Sequence, residues 1–221
     1  MRLLVYLMVC CLPVAIQAQT TETMDDTYDR PASGQVVLDL KFAGIITVEQ
    51  TDRSDVLIRK TITYRTEKDR DLLVETVEEG ERLRYTMSYR QRGKNYNTQE
   101  CWDCDRAGCQ CFKIDYTILL PSGISLDVES ISGDIDIPAY DGALRAKTIS
   151  GFVDLGLPAR ASANVFIKTV TGEIYTDFDD LTLTDDSNPY SKKVDTTLGN
   201  GGKAIRLESV SGNIYVRKQA L

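Results

Sequence analysis

The 221-residue chain has no histidine. That absence excludes a Ser-His-Asp or Cys-His nucleophile, a histidine general base and a histidine-ligated zinc, because each needs an imidazole. Long apolar runs are nearly as scarce. Beyond residue 18 no segment is long and apolar enough to span a bilayer as a helix. Basic residues are in the minority, 26 against 33 acidic. Such a balance repels nucleic acid and anionic lipid, so neither is an expected partner. A sustained 3.6-residue apolar period is missing too, which argues against a helical core.

What is present begins with an export signal. Arg2, the apolar stretch Leu3 to Val14 and the small residue Ala18 lay out residues 1–18 as a secretory signal peptide. Cys10 is a poor lipidation site, since Val9 stands where a small residue is wanted. Loss of Arg2 leaves 25 basic and 33 acidic residues, a net charge of −8 on the mature chain. Residues 19–34 are polar and without period, which reads as a flexible leader. One all-β domain is expected over 35–221, exported to the periplasm or the cell surface.

From Gln35 the pattern has period two, as in Val37-Leu38-Asp39-Leu40, Ile46-Thr47-Val48-Glu49 and Phe112 to Ile118. Leu73 to Val77 and Leu83 to Tyr89 flank Glu78-Glu79-Gly80-Glu81, an antiparallel hairpin signature. Lys68 to Glu75 reads as loop and strand. Residues 35–120 thus form N-terminal strands and hairpins, with a cysteine loop at 90–111, and 121–221 carry repeats.

Four segments share one motif, Ser/Thr-apolar-Ser/Thr-Gly followed by alternating apolar residues. Their glycines are Gly133, Gly151, Gly172 and Gly212, spaced 18, 21 and 40 residues apart, with a fainter copy around Gly44. The last gap fits two repeats or one repeat plus an insertion. One copy cannot bury its apolar face alone, whereas stacked copies about 4.8 Å apart build a continuous core. The expectation is stacked β-strand repeats, a β-solenoid or β-helix-like fold, with a β-sandwich as the alternative. In the stacked turns the glycines are expected at positive φ.

These repeats, with the closing Leu198-Gly199-Asn200-Gly201-Gly202 … Ser209-Val210-Ser211-Gly212-Asn213-Ile214-Tyr215-Val216, resemble a bacterial family named putative adhesins, β-strand repeat proteins of unknown function frequent in Bacteroidetes. The resemblance implies an exported, non-enzymatic protein that binds or scaffolds at the envelope, with no cofactor and with an unidentified protein or glycan as partner.

Cys101, Cys104, Cys109 and Cys111 hold all the cysteine of the mature chain and are not part of that family pattern. In an oxidising compartment they read as two disulfides across a hairpin loop, nested (Cys101–Cys111 with Cys104–Cys109) or crossed. A Cys₄ metal site and a redox-active Cys101-x-x-Cys104 are the alternatives. Asp134, Asp154 and Glu173 could supply paired carboxylates for sugar cleavage, but their repeat positions fit the outward face of stacked strands. Asp177 to Asp180 with Asp185-Asp186 match no calcium loop and read as an inserted solvated loop. Gly199 to Lys203 lacks phosphate-loop spacing and reads as a tight turn.

Overall fold

The structure is a computed structural model, and it describes residues 20–64, 73–89, 112–184 and 190–219. These form sixteen strands in two eight-stranded sheets. Sheet A runs in the order β1 (Thr20–Asp29), β4 (Asp55–Tyr64), β7 (Phe112–Pro121), β3 (Ile45–Thr51), β9 (Asp134–Ile137), β11 (Val153–Leu157), β16 (Ile214–Lys218), β13 (Ile174–Thr176). Sheet B runs β14 (Lys192–Leu198), β12 (Ala163–Thr169), β15 (Lys203–Ser209), β10 (Leu144–Lys147), β8 (Ser125–Glu129), β2 (Gln35–Leu40), β6 (Arg82–Tyr89), β5 (Leu73–Glu78).

Each repeat gives one strand to sheet B, turns at its Ser/Thr-Gly motif, and gives the next strand to sheet A. Successive copies pair in parallel in both sheets, β2–β8–β10–β15–β12 and β3–β9–β11–β16–β13. This is a solenoid-like stack whose two faces are the two sheets. Period-two alternation sends Leu126, Val128, Ile135, Ile137, Val153, Leu155 and their equivalents inward, where they are fully or almost fully buried.

Stack order departs from chain order. The last repeat, β15–β16, lies between β10–β11 and β12–β13. The 40-residue glycine gap therefore holds an insertion, not a further rung: Phe178 and Leu181 bury over the end of the core, and β14 pairs antiparallel with β12. The Gly199–Gly202 turn carries the chain over the start of β12 to β15, with the Asn200 amide donating to Ser162 Oγ and Gly199, Gly201 and Gly202 at positive φ.

Three expectations are corrected. Residues 20–29, read as flexible leader, form β1, paired antiparallel with β4 from Thr20↔Tyr64 to Asp29↔Asp55. The repeat glycines 133, 151, 172 and 212 are not at positive φ. Close stacking is what requires them: a Cβ on Gly151 would strike the Gly133 carbonyl, and one on Gly212 the Gly151 carbonyl. The strands on either side of the cysteine segment, finally, do not pair with each other as a hairpin. β6 pairs with β2 in sheet B and β7 with β3 in sheet A, both in parallel. The β5–β6 hairpin is as expected.

Candidate binding surface

The motif turns build one edge of the stack. The first hydroxyl of each copy is buried and works twice. Thr148 Oγ1 accepts from the Gly151 amide at 3.2 Å and donates to the Gly133 carbonyl at 2.9 Å. Ser209 does the same with Gly212 and Gly151, and Thr169 with Gly172 and Gly212. A hydroxyl suits this place because it supplies both a donor and an acceptor to backbone groups that water cannot reach.

The apolar residue between the two hydroxyls points out. Ile131, Ile149, Val210 and Val170 follow one another along the stack with 37–41% of their surface exposed. The ridge continues onto the outer face of sheet A, where Phe152, Tyr215 and Tyr175 form a ring ladder. Tyr175 and Tyr215 are register partners, with centroids 5.2 Å apart and planes 11° from parallel. Phe152 meets Tyr215 edge-on at 6.2 Å. Half of Tyr175 is solvent-exposed. Contiguous exposed apolar and aromatic groups of this kind mark interaction sites more often than scattered ones do.

Carboxylates border the ladder. Asp136 and Asp154 are register partners on β9 and β11, and like charges directly opposite are destabilising. Burial raises the Asp154 pKa, Arg217 pulls it down and Asp136 raises it again, the net being upward. The Arg217 guanidinium lies 2.6 Å from Asp154 and 5.4 Å from the Tyr215 ring centre. Asp134 accepts the Phe152 amide at 3.0 Å. Glu173 pairs with Lys192. Asp134, Asp154 and Glu173, the carboxylates singled out from sequence, thus stand on three different rungs of an outer face. Among the described residues no group of three or more Asp, Glu or Cys is placed to hold a metal.

Sheet B differs. Arg145 bridges Asp127 and Glu129, Arg206 grips Glu208, and Lys193 pairs with Asp195. A hollow of about 480 Å³ beside Phe166 is lined by Asn164, Asp195, Thr197 and Arg206. The Phe166 ring is already covered by Arg206, 4.1 Å from its centre, and by Lys193 at 5.4 Å.

A second polar cluster was not foreseen from the sequence. Lys60 on β4 is 4% exposed and pairs with Asp26 of β1 at 2.9 Å and with Glu75 of β5 across the sheets. Burial opposes its charge, but the two carboxylates outweigh burial and hold its pKa above the ordinary lysine value. Tyr28, Tyr85 and Tyr116 pack edge to face beside it. Burial, together with Asp26 and Glu75, pushes the Tyr28 phenol up to about 12. Nothing but an isolated Lys in a β-pattern stood in the sequence, so no signal marked this cluster.

Of the other sequence candidates, Asp177 Oδ2 accepts the Lys218 amide at 3.0 Å, and Asp185-Asp186 lie outside the described residues. So do Cys101, Cys104, Cys109 and Cys111.

A family model, Toastrack DUF4097, matches residues 44–217. The chain belongs to that family. The match begins at Gly44, the first glycine of the Toastrack stack, and ends at Arg217. Among solved structures the chain resembles a "putative cell adhesion protein" from Clostridium sporogenes, at 11% identity and a TM-score of 0.54, covering 90% of this chain and 100% of that one. Two others superpose poorly. They are a "putative adhesin" from Bacteroides fragilis (10% identity, TM-score 0.28, 92% and 99% covered) and a "putative lipid binding protein" from Parabacteroides distasonis (14%, 0.32, 90% and 97%). No curated protein matches. At 11% identity the Clostridium structure shows a shared fold, which agrees with the Toastrack assignment.

Proposed function

We propose that this Toastrack chain is an exported, non-enzymatic binding protein of the cell envelope, adhesin-like or scaffolding, that engages its ligand through the turn edge and the adjoining face of sheet A. The observation that carries this reading is the continuous exposed row Ile131, Ile149, Val210, Val170 beside the Phe152–Tyr215–Tyr175 ladder. A stack held by buried hydroxyls and close-packed glycines presents that row on a rigid support, which lowers the ordering cost of binding. The Clostridium structure called a cell adhesion protein shares the fold and is in keeping with this role. The rival reading, sugar cleavage by a carboxylate pair, is weakened because Asp154 is tied to Arg217 and Glu173 to Lys192, on different rungs.

The test is retention of beads coated with the mature chain on envelope preparations, with Ile149→Ser/Tyr175→Ala as the comparison. Both side chains are exposed, so the variant should fold. Retention that drops severalfold in the variant supports the reading; equal retention by both, or none by either, refutes it.

A further inference from the structure

Resting on that reading, we propose that the ligand of this face is a basic, extended segment of a partner protein, its arginine or lysine side chains seated against Asp136 and the Tyr175–Tyr215 ladder and its apolar side chains covering the Ile149–Val210 ridge.

Charge separates this face from the other. On sheet B the cations Arg145, Lys193 and Arg206 each pair with a carboxylate of the chain. Around the ladder on sheet A, neither Asp134 nor Asp136 has a cation within ion-pair distance among the described residues, and Arg217 alone offsets Asp154. Two carboxylates in register on adjacent strands are a standing electrostatic cost, and an incoming cation turns that cost into binding free energy. The chain already shows how such a cation sits. Arg217 contacts a carboxylate and an aromatic ring together, the pairing that a guanidinium makes best. A guanidinium or ammonium carried on a partner strand pairs with Asp136, one rung further along the stack from Asp154, while Phe152, whose amide is bonded to Asp134 of the same strand, begins the aromatic ladder.

Other occupants fit less well. A metal ion lacks a cluster of ligands among the described residues. A second copy would bring carboxylates onto carboxylates. Anionic lipid and nucleic acid are repelled for the same reason. A neutral glycan could use the rings but gains nothing from unneutralised Asp136. An extended segment is favoured because the ridge offers one exposed apolar residue per rung over four successive rungs, a length that an extended chain can follow.

The experiment uses the purified mature chain and three probes: a labelled twelve-residue peptide alternating Arg with Val, the same peptide with Glu for Arg, and a neutral polysaccharide. Fluorescence anisotropy should show binding of the Arg peptide alone, weakening as salt is raised. Asp136→Asn should weaken it about tenfold and Asp136→Lys should abolish it, while Asp195→Asn on sheet B should leave it unchanged. Because Asp136→Asn removes a like-charge contact, the variant should remain folded. No binding of the Arg peptide, equal binding of the Glu peptide, or indifference to Asp136 overturns the basic-partner proposal. Tyr175-dependent binding of the polysaccharide instead would also overturn it, while leaving the binding-surface reading standing; only the bead assay can remove that.

Discussion

The Ser209 hydroxyl donates to the Gly151 carbonyl 3.1 Å away and joins the last repeat of the chain to the second, 58 residues earlier. The same oxygen accepts the Gly212 amide at 2.9 Å. Ser209→Ala leaves two backbone groups without this partner in a nearly dry place, at a cost of roughly 1–3 kcal/mol. Gly151→Ala drives a methyl into the Gly133 carbonyl and should cost about as much through overpacking. Gly80→Ala is the control, since a Cβ there meets nothing within 4 Å. Urea unfolding of the three variants checks this. A Gly151 variant as stable as the Gly80 variant would sink the close-packing account.

The repeat was legible because each copy carries the same hydroxyl and glycine at one spacing. Its spatial order was not, since any copy can stack on any other. Nothing local in Leu207-Glu208-Ser209 says that β15 inserts beside β10. Positive φ was the wrong reason for the repeat glycines, because a turn-like Ser-x-Ser-Gly suggests a left-handed residue, whereas the contact that excludes a side chain comes from the neighbouring rung. β1 escaped notice for another reason. It is an edge strand with no buried residue, so Thr20 to Asp29 shows no apolar alternation. Backbone pairing and contacts such as Arg59–Asp25, 2.7 Å apart, hold it.

Lys60 should matter in alkali. Its folded pKa lies above the ordinary 10.5, so the stability its charge contributes is complete below pH 10.5 and is lost as pH rises through the folded value. Tyr28, raised from 10.0 to about 12, acts in the same direction between those limits, as do the buried phenols of Tyr85, Tyr116 and Tyr140, which burial pushes higher still. Lys60→Met should cost roughly 2–3 kcal/mol at pH 7. It should also make the alkaline fall in stability between pH 10 and 12 shallower than in the parent chain, leaving the part due to the tyrosines. Thermal melts from pH 7 to 12 decide; an equally steep fall in the variant would show that Lys60 is not the group responsible.

Export and β1 can be tested together. A signal ending at Ala18 leaves a mature chain that starts at or near Gln19, with the whole of β1 retained. N-terminal sequencing of the envelope fraction should find that start, and an intact Met1 in the cytoplasm would end the export claim. A chain starting at Arg30 would lose Asp26, leaving Lys60 with Glu75 alone. Its melting temperature should fall by several degrees. An unchanged value would mean that β1 contributes no stability.

The four cysteines give the last prediction. In an oxidising compartment Cys101, Cys104, Cys109 and Cys111 should form two disulfides within eleven residues. The loops they close are short, so the first bridge adds at most about 2–3 kcal/mol and the second less. The flanking strands are each held by two neighbours without them: β6 pairs with β2 and β5, and β7 with β3 and β4. Replacing all four cysteines with serine should therefore keep the fold and lower stability modestly. Mass spectrometry of the native protein under alkylating conditions should find no free thiol. Four alkylated cysteines would rule out the bridges, and one stoichiometric metal ion would shift the reading to a Cys₄ site. If the serine variant fails to fold, the segment is part of the core, and the pairings of β6 and β7 do not suffice to hold those strands.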